Sequence, residues 1–280
     1  MRLANQDGRL LISEDGVGFV DVHETSEDRF GPDPQSVYDR WSEFLDWSGS
    51  ASIGAGAPID VGRLGPPVPA PRQVFAVALN YPEHAAEGGF AKPEAPLIFT
   101  KFPTCLIGPK ASVTLATPFV DWEVELVAVI GQRAASVSEA DAWQHIAGVT
   151  VGQDLSARDV QRRGPAPQYS LGKSFPGFGP TGPWVVTTDE PGITGELELE
   201  CLLGGEHVQR ESTRAMIFSV PELIAYISAI CPLLPGDLLF TGPPSGGGSR
   251  REPPVYLRAG DELVSRISGV GELTTTFHDQ

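Results

Sequence analysis

Cysteine is scarce in this 280-residue chain: Cys105, Cys201 and Cys231 lie far apart, with no CxxC pair. An odd, scattered set excludes a disulfide framework and a cysteine zinc site, and fits free thiols in a reducing cytoplasm. Basic residues are also short, with 20 Lys and Arg against 36 Asp and Glu, a formal charge of −16. Without a basic stripe to neutralise phosphates, a nucleic-acid partner is excluded. No apolar run exceeds about eight residues, well short of the ~20 that cross a bilayer. The first twenty residues lack the basic-then-apolar pattern of a signal peptide. These absences predict a soluble cytoplasmic protein with no membrane partner. Several enzyme motifs are missing too: GxGxxG after a strand, GxSxG, HExxH and a calcium loop. Gly172-Lys173-Ser174 imitates the end of a phosphate-binding loop, but Pro167 stands where that loop needs glycine.

What is present is enough apolar content, 41%, to bury a core, together with 32 Gly and 26 Pro that follow no repeat. They read as turns in a strand-rich fold. Short strands are predicted at Arg9–Ile12, Val17–Val22, Val74–Ala78, Leu97–Lys101, Asp121–Ile130, Val149–Val151, Pro183–Thr187, Leu197–Leu203, Leu238–Phe240 and Glu262–Ile267. Helices are predicted at Pro34–Trp47, Tyr81–Glu87, Ser138–Gln144 and Val220–Ala229. Strands outnumber helices without regular alternation, so the expected class is α+β with a mixed β-roll core, not a doubly wound sheet. The stretch Ser48–Gln73, with its run Pro66-Pro67-Val68-Pro69-Ala70-Pro71, is the best boundary. It separates a small β-rich N-terminal unit (1–70) from a larger one (71–280).

The sequence Asp121-Trp122-Glu123-Val124-Glu125-Leu126 spaces three carboxylates two residues apart, on one face of a strand. Taken alone, that pattern most often marks a solvated face. Here it runs into Val127–Ile130, which reads as buried, and closely spaced buried acids repel unless a cation joins them. Oxygen ligands favour Mg²⁺ or Mn²⁺, with Ca²⁺ a third hard-ion candidate. Asp154, just past the strand Val149–Val151, is a third ligand candidate, although a lone strand-end acid is usually a turn residue. His84 and Glu87 share a helix face at three-residue spacing, which would let Glu87 orient the imidazole as a general base. The bland alternative is an incidental surface pair.

Together these residues resemble the fumarylacetoacetate hydrolase family. The likeness is carried by Asn-Tyr-x-x-His-Ala-x-Glu at 80–87, Lys101-x-Pro103 to Gly108-Pro109, Glu123-x-Glu125-Leu126 and Asp154-x-Ser156-Ala157-Arg158-Asp159-x-Gln161. It continues through Gly172-Lys173-Ser174-Phe175, Gly179-Pro180-x-Gly182-Pro183 and Pro235-Gly236-Asp237 to Phe240-Thr241-Gly242. The resemblance implies a β-roll homodimer with a divalent ion at Glu123, Glu125 and Asp154 and a short helical lid bearing His84 and Glu87. It also implies that Lys173 and Thr241 contact substrate oxygens, and that Arg158 and Gln161 line the site wall. The implied activity is cleavage of a carbon–carbon bond in an acylpyruvate-like 2,4-dioxo acid through a metal-stabilised enolate, with His84, Glu87 and Lys173 catalytic. Decarboxylation or hydration/isomerisation of a 2-oxo diacid, and a non-catalytic metabolite binder, are the alternatives. Gln153, Pro176 and Pro243 depart from the family pattern of Asn, an acid and Thr at those places.

Overall fold

The computed structural model describes residues 1–51, 53–54 and 56–279, so positions 52 and 55 of the boundary stretch lie outside the described residues. A ten-stranded mixed sheet forms the backbone of the fold. Its order is Val20–Asp21, Arg9–Ser13, Arg2–Gln6, Gly179–Thr187, Ile146–Gln153, Val124–Ile130, Leu238–Phe240, Val74–Ala78 and Leu97–Thr100, with Leu106–Ile107 beside Gly179–Thr187. A five-stranded sheet packs against it, ordered Glu206–Ser212, Glu198–Leu203, Glu262–Ile267, Gly271–His278 and Lys110–Thr114. The class is mixed α+β, as expected.

The apolar run Val124–Ile130 is buried at every position because the large sheet is covered on both faces. Leu126, Ala128 and Ile130 face a core shared with Leu199, Leu263 and Leu273 of the second sheet. Val127 and Val129 face an aromatic layer of Tyr38, Trp41, Phe44 and Trp47. Those aromatics come from a 3-10 turn, Tyr38–Arg40, and the helix Trp41–Ser50. The helix starts later than the sequence pattern predicts, because the Asp33 side chain accepts from the Gln35 amide (2.9 Å) and closes a turn first. Residues 2–6 were not anticipated as a strand, yet Arg2 and Leu3 pair with Val186 and Val185. The first strands therefore extend the sheet that carries the site.

The predicted helix at 138–144 is a 3-10 segment, Glu139–His145, since the Ser138 hydroxyl bonds the Asp141 carboxylate (2.6 Å). Val220–Ser228 is the predicted helix, opened by a Ser219/Glu222 capping box. Among the described residues no helix is long and apolar enough to cross a membrane.

Asn80 ties the site's entrance to this scaffold. Fully buried, its amide donates to the carbonyls of Thr241 (2.8 Å) and Phe218 (3.0 Å) and accepts from the Phe218 amide (2.8 Å). Asn80→Ala should destabilise the fold by about 2–4 kcal/mol, because several buried partners lose their bond at once. Urea unfolding with an unchanged slope and a lowered midpoint is the expected result; an unchanged midpoint would contradict it.

Candidate active site

The antiparallel register between Ile146–Gln153 and Val124–Ile130 sets Gly152 opposite Glu125 and Gln153 opposite Val124. Asp154 follows directly, its amide donating to the Glu123 carbonyl (2.8 Å). Glu123, Glu125 and Asp154 thus converge, each offering an oxygen within 4.8 Å of the others. They are 3%, 1% and 0% exposed, which rules out the solvated-face reading of this acidic strand. The strand is also shorter than predicted. It breaks after Asp121, and Trp122 and Glu123 stand between Val120–Asp121 and Val124–Ile130. Asp121 turns away to Arg158 (2.7 Å) and to the amides of Gly248 (2.7 Å) and Ser249 (3.1 Å).

Three cations offset the acids. Lys173 pairs with Glu123 and with Asp154, Lys101 with Asp154 (2.6 Å), and Arg158 with Glu123 (2.7 Å). Burial alone would raise the Glu123 carboxyl, but Lys173 and Arg158 outweigh it and hold the group well below the usual range. Burial would likewise lower Lys173, yet Asp154 and Glu123 raise it. Glu125 is the exception. Burial, then Asp154 and Glu123, push it well above the ordinary carboxylate value. Among the described residues it has no ion pair, only the Gly242 amide at 2.7 Å, delivered by a φ of +93° that favours glycine. An all-oxygen, buried triad with one uncompensated member fits a hard divalent ion.

The helix Pro82–Glu87 borders this cluster through His84. Its His84 shares a cleft of about 60 Å³ with Glu123, Arg158, Lys173, Tyr169 and Arg250. The chain enters that helix through Leu79 at φ +57°, a left-handed conformation that a leucine adopts only under constraint. Burial pushes the imidazole down to about 4, so it is neutral at pH 7, and its buried Nδ1 has no hydrogen-bond partner among the described residues. Glu87 comes within 4.0 Å of Nδ1 but accepts instead from the Gly246 amide (3.0 Å). The helix is thereby bonded to the glycine-rich loop rather than forming a tight dyad.

Of the remaining predicted residues, Gln161 accepts from Arg158 (3.2 Å), and its buried Nε2 has no partner among the described residues. The Thr241 hydroxyl donates to the Leu126 carbonyl (2.9 Å), behind the cleft. Gln153 accepts from the Glu123 amide and donates to Ser265 (2.9 Å), so this departure from the family pattern props the backbone at Glu123. Sequence reasoning gave no role to Lys101, which is 1% exposed and also bonds the carbonyls of Lys173 and Phe178. Its place in the Lys101-x-Pro103 motif was the available signal. Arg250 was missed because nothing about a residue after a glycine run points it into a cleft.

Residues 73–278 match the family model of the fumarylacetoacetate (FAA) hydrolase C-terminal domain. The human mitochondrial oxaloacetate tautomerase FAHD2A is 42% identical over 73% of this chain, which spans 66% of that protein's length. A solved Mycobacterium smegmatis structure given the provisional name HpcE is 50% identical, covers 100% of this chain and 99% of its own, and has a TM-score of 0.95. Maleylpyruvate hydrolase from Sphingobium sp. SYK-6, solved with manganese(II) and pyruvate, is 28% identical. It covers 100% of this chain and 99% of its own at a TM-score of 0.80.

Glu125→Gln separates the two consequences of the crowded carboxylates. The folded protein holds the Glu125 proton more tightly than the unfolded chain, so metal-free stability falls as pH rises above the ordinary value of 4.5. Glutamine should remove that slope and raise the metal-free melting temperature at pH 7. It should also weaken Mn²⁺ binding at least about tenfold, or ~1.4 kcal/mol. Melting curves across pH and Mn²⁺ calorimetry check both signs; unaltered Mn²⁺ affinity would remove Glu125 from the ligand set.

Proposed function

Because the chain belongs to the fumarylacetoacetate hydrolase family, we propose that it is an enzyme moving a proton on an enolisable 2-oxo acid. Tautomerisation or isomerisation is the primary reaction. The observation that carries this reading is the neutral, unpartnered His84 Nδ1 in the same cleft as the carboxylate triad. Glu123, Glu125 and Asp154 would hold a divalent ion, Mg²⁺ or Mn²⁺, whose chemistry is to polarise the 2-oxo oxygen and offset enolate charge. Lys173 and Arg158 attract the substrate carboxylate, and the Gln161 Nε2 beside Arg158 is left to donate to one of its oxygens. Thr241, whose hydroxyl is taken by the Leu126 carbonyl, backs the wall without touching substrate. His84 takes a proton from the carbon beside the 2-oxo group and returns it to the rearranged product. Closure of the Pro82–Glu87 helix keeps bulk water from competing for that proton.

Carbon–carbon hydrolysis is the second reading, supported by the manganese–pyruvate complex of the Sphingobium hydrolase. It adds one demand, that His84 deprotonate a water aimed at the distal carbonyl with Lys173 facing the oxyanion. Since Glu87 is engaged by Gly246, proton transfer at carbon asks less rearrangement of the site. The proposal includes a cytoplasmic homodimer, with residues 1–70 an appended unit and 71–280 the catalytic one.

Oxaloacetate enol-to-keto conversion and acylpyruvate cleavage, each assayed with Mg²⁺ or Mn²⁺ and with chelator, test these readings. The expected result is chelator-sensitive tautomerisation. His84→Gln should lower kcat by about 10²–10⁴-fold while Mn²⁺ binding persists. At saturating Mn²⁺ the wild-type rate should persist below 6.5, the ordinary imidazole value, and be lost as pH falls towards about 4, where His84 gains its proton. Cleavage without tautomerisation would favour hydrolysis, and a wild-type rate in His84→Gln would refute the base assignment.

A further inference from the structure

Arginines 250 and 251 are adjacent in sequence but differently employed. Arg251 donates to the carbonyls of Val208 (3.2 Å) and Gly246 (3.5 Å), and its guanidinium lies 5.7 Å from the Trp122 ring centre. Arg250 lines the cleft with His84, Glu123, Arg158 and Lys173. Among the described residues its guanidinium makes no ion pair and no hydrogen bond, whereas Arg158 is fully engaged by Asp121, Glu123 and Gln161.

The loop that carries Arg250 is held firmly. Asp121 accepts from the Gly248 and Ser249 amides, and Glu87 of the bordering helix accepts from Gly246. A Cβ at Gly248 would come within 2.1 Å of the Val255 carbonyl and 2.5 Å of Trp122, so the chain passes there only as glycine. Arg250 thus projects from a fixed 3-10 turn, Gly248–Arg250. Arg250 stays exposed at the rim of the cleft, where the like charges of Arg158 and Arg162 repel it and favour a bound anion.

Formal charge indicates what that anion is. Asp121, Glu123, Glu125 and Asp154 supply four negative charges, and Lys101, Lys173 and Arg158 supply three positive. With a divalent ion bound and Glu125 ionised, the balance is an excess of one, which the carboxylate of a 2-oxo acid cancels. Arg250 is then surplus for a monoacid and matched for a diacid. We propose that Arg250 receives the distal carboxylate of the substrate, so that the site selects 2-oxo dicarboxylates over 2-oxo acids with an uncharged tail. This assignment rests on the 2-oxo acid reading above, and names its substrate class.

The test pairs turnover with binding. In Mn²⁺-loaded protein, kcat/KM is measured for oxaloacetate and for its 4-methyl ester, in wild type, Arg250→Gln and Arg250→Lys. Calorimetry compares the unreactive dicarboxylate N-oxalylglycine with oxamate in the same proteins. The diacid-to-ester ratio and the N-oxalylglycine-to-oxamate ratio should both fall roughly ten- to hundredfold in Arg250→Gln, with lysine restoring part of each. Unchanged ratios in Arg250→Gln overturn the assignment, even with wild-type turnover intact. If wild type turns over neither substrate yet prefers N-oxalylglycine through Arg250, the enzyme reading fails and the diacid subsite stands. Absence of any wild-type preference for N-oxalylglycine also overturns it.

Discussion

Mutual repulsion among Glu123, Glu125 and Asp154, buried side by side, is the constraint on which the rest of the site depends. Carboxylates out of water must be protonated, paired or metal-bound. This chain pairs two of them with Lys101, Lys173 and Arg158 and, among the described residues, leaves Glu125 with only a backbone amide. The unpaired member makes the cluster receptive to a hard cation. The lysines keep that cluster folded in its absence, Lys101 sealing the base through the carbonyls of residues 173 and 178.

The same network reaches the short helix and the glycine-rich loop beside the cleft. Asp121, though close in sequence to the carboxylate triad, does not join it. It clamps Arg158 and the glycine-rich loop together. That loop holds Glu87, and Glu87 holds the helix bearing His84. Charge at the carboxylates, placement of Arg250 and the position of His84 are therefore linked by a chain of hydrogen bonds. The protein's overall −16 governs solubility and long-range fields; the cleft has its own local balance, set by four acids, their cations and the ion they invite.

Much of the scaffold was legible in advance. Val124–Ile130 is continuously apolar because a ten-stranded sheet is sandwiched between a second sheet and a layer of aromatics, and a strand buried on both faces has no reason to alternate. The Ser219/Glu222 box announces its helix through local hydrogen bonds alone. Errors came where a side chain competed for the backbone, as with Asp33 delaying one helix and Ser138 with Asp141 tightening another. The strand at residues 2–6 escaped notice because its partner lies some 180 residues away.

The sequence by itself determined the donor types. Two glutamates at alternate positions leading into a buried strand, an aspartate at a neighbouring strand's end, and a histidine on a short helix are local patterns with local physical meaning. Only tertiary structure decided which acids meet and which part. The strand break sends Asp121 to Arg158, the antiparallel register brings Asp154 to Glu123, and a turn fixed from three directions aims Arg250 at the cleft. Pair distances, burial and unmatched charge arise between segments distant in sequence, so no periodicity or spacing along the chain encodes them where they could be read.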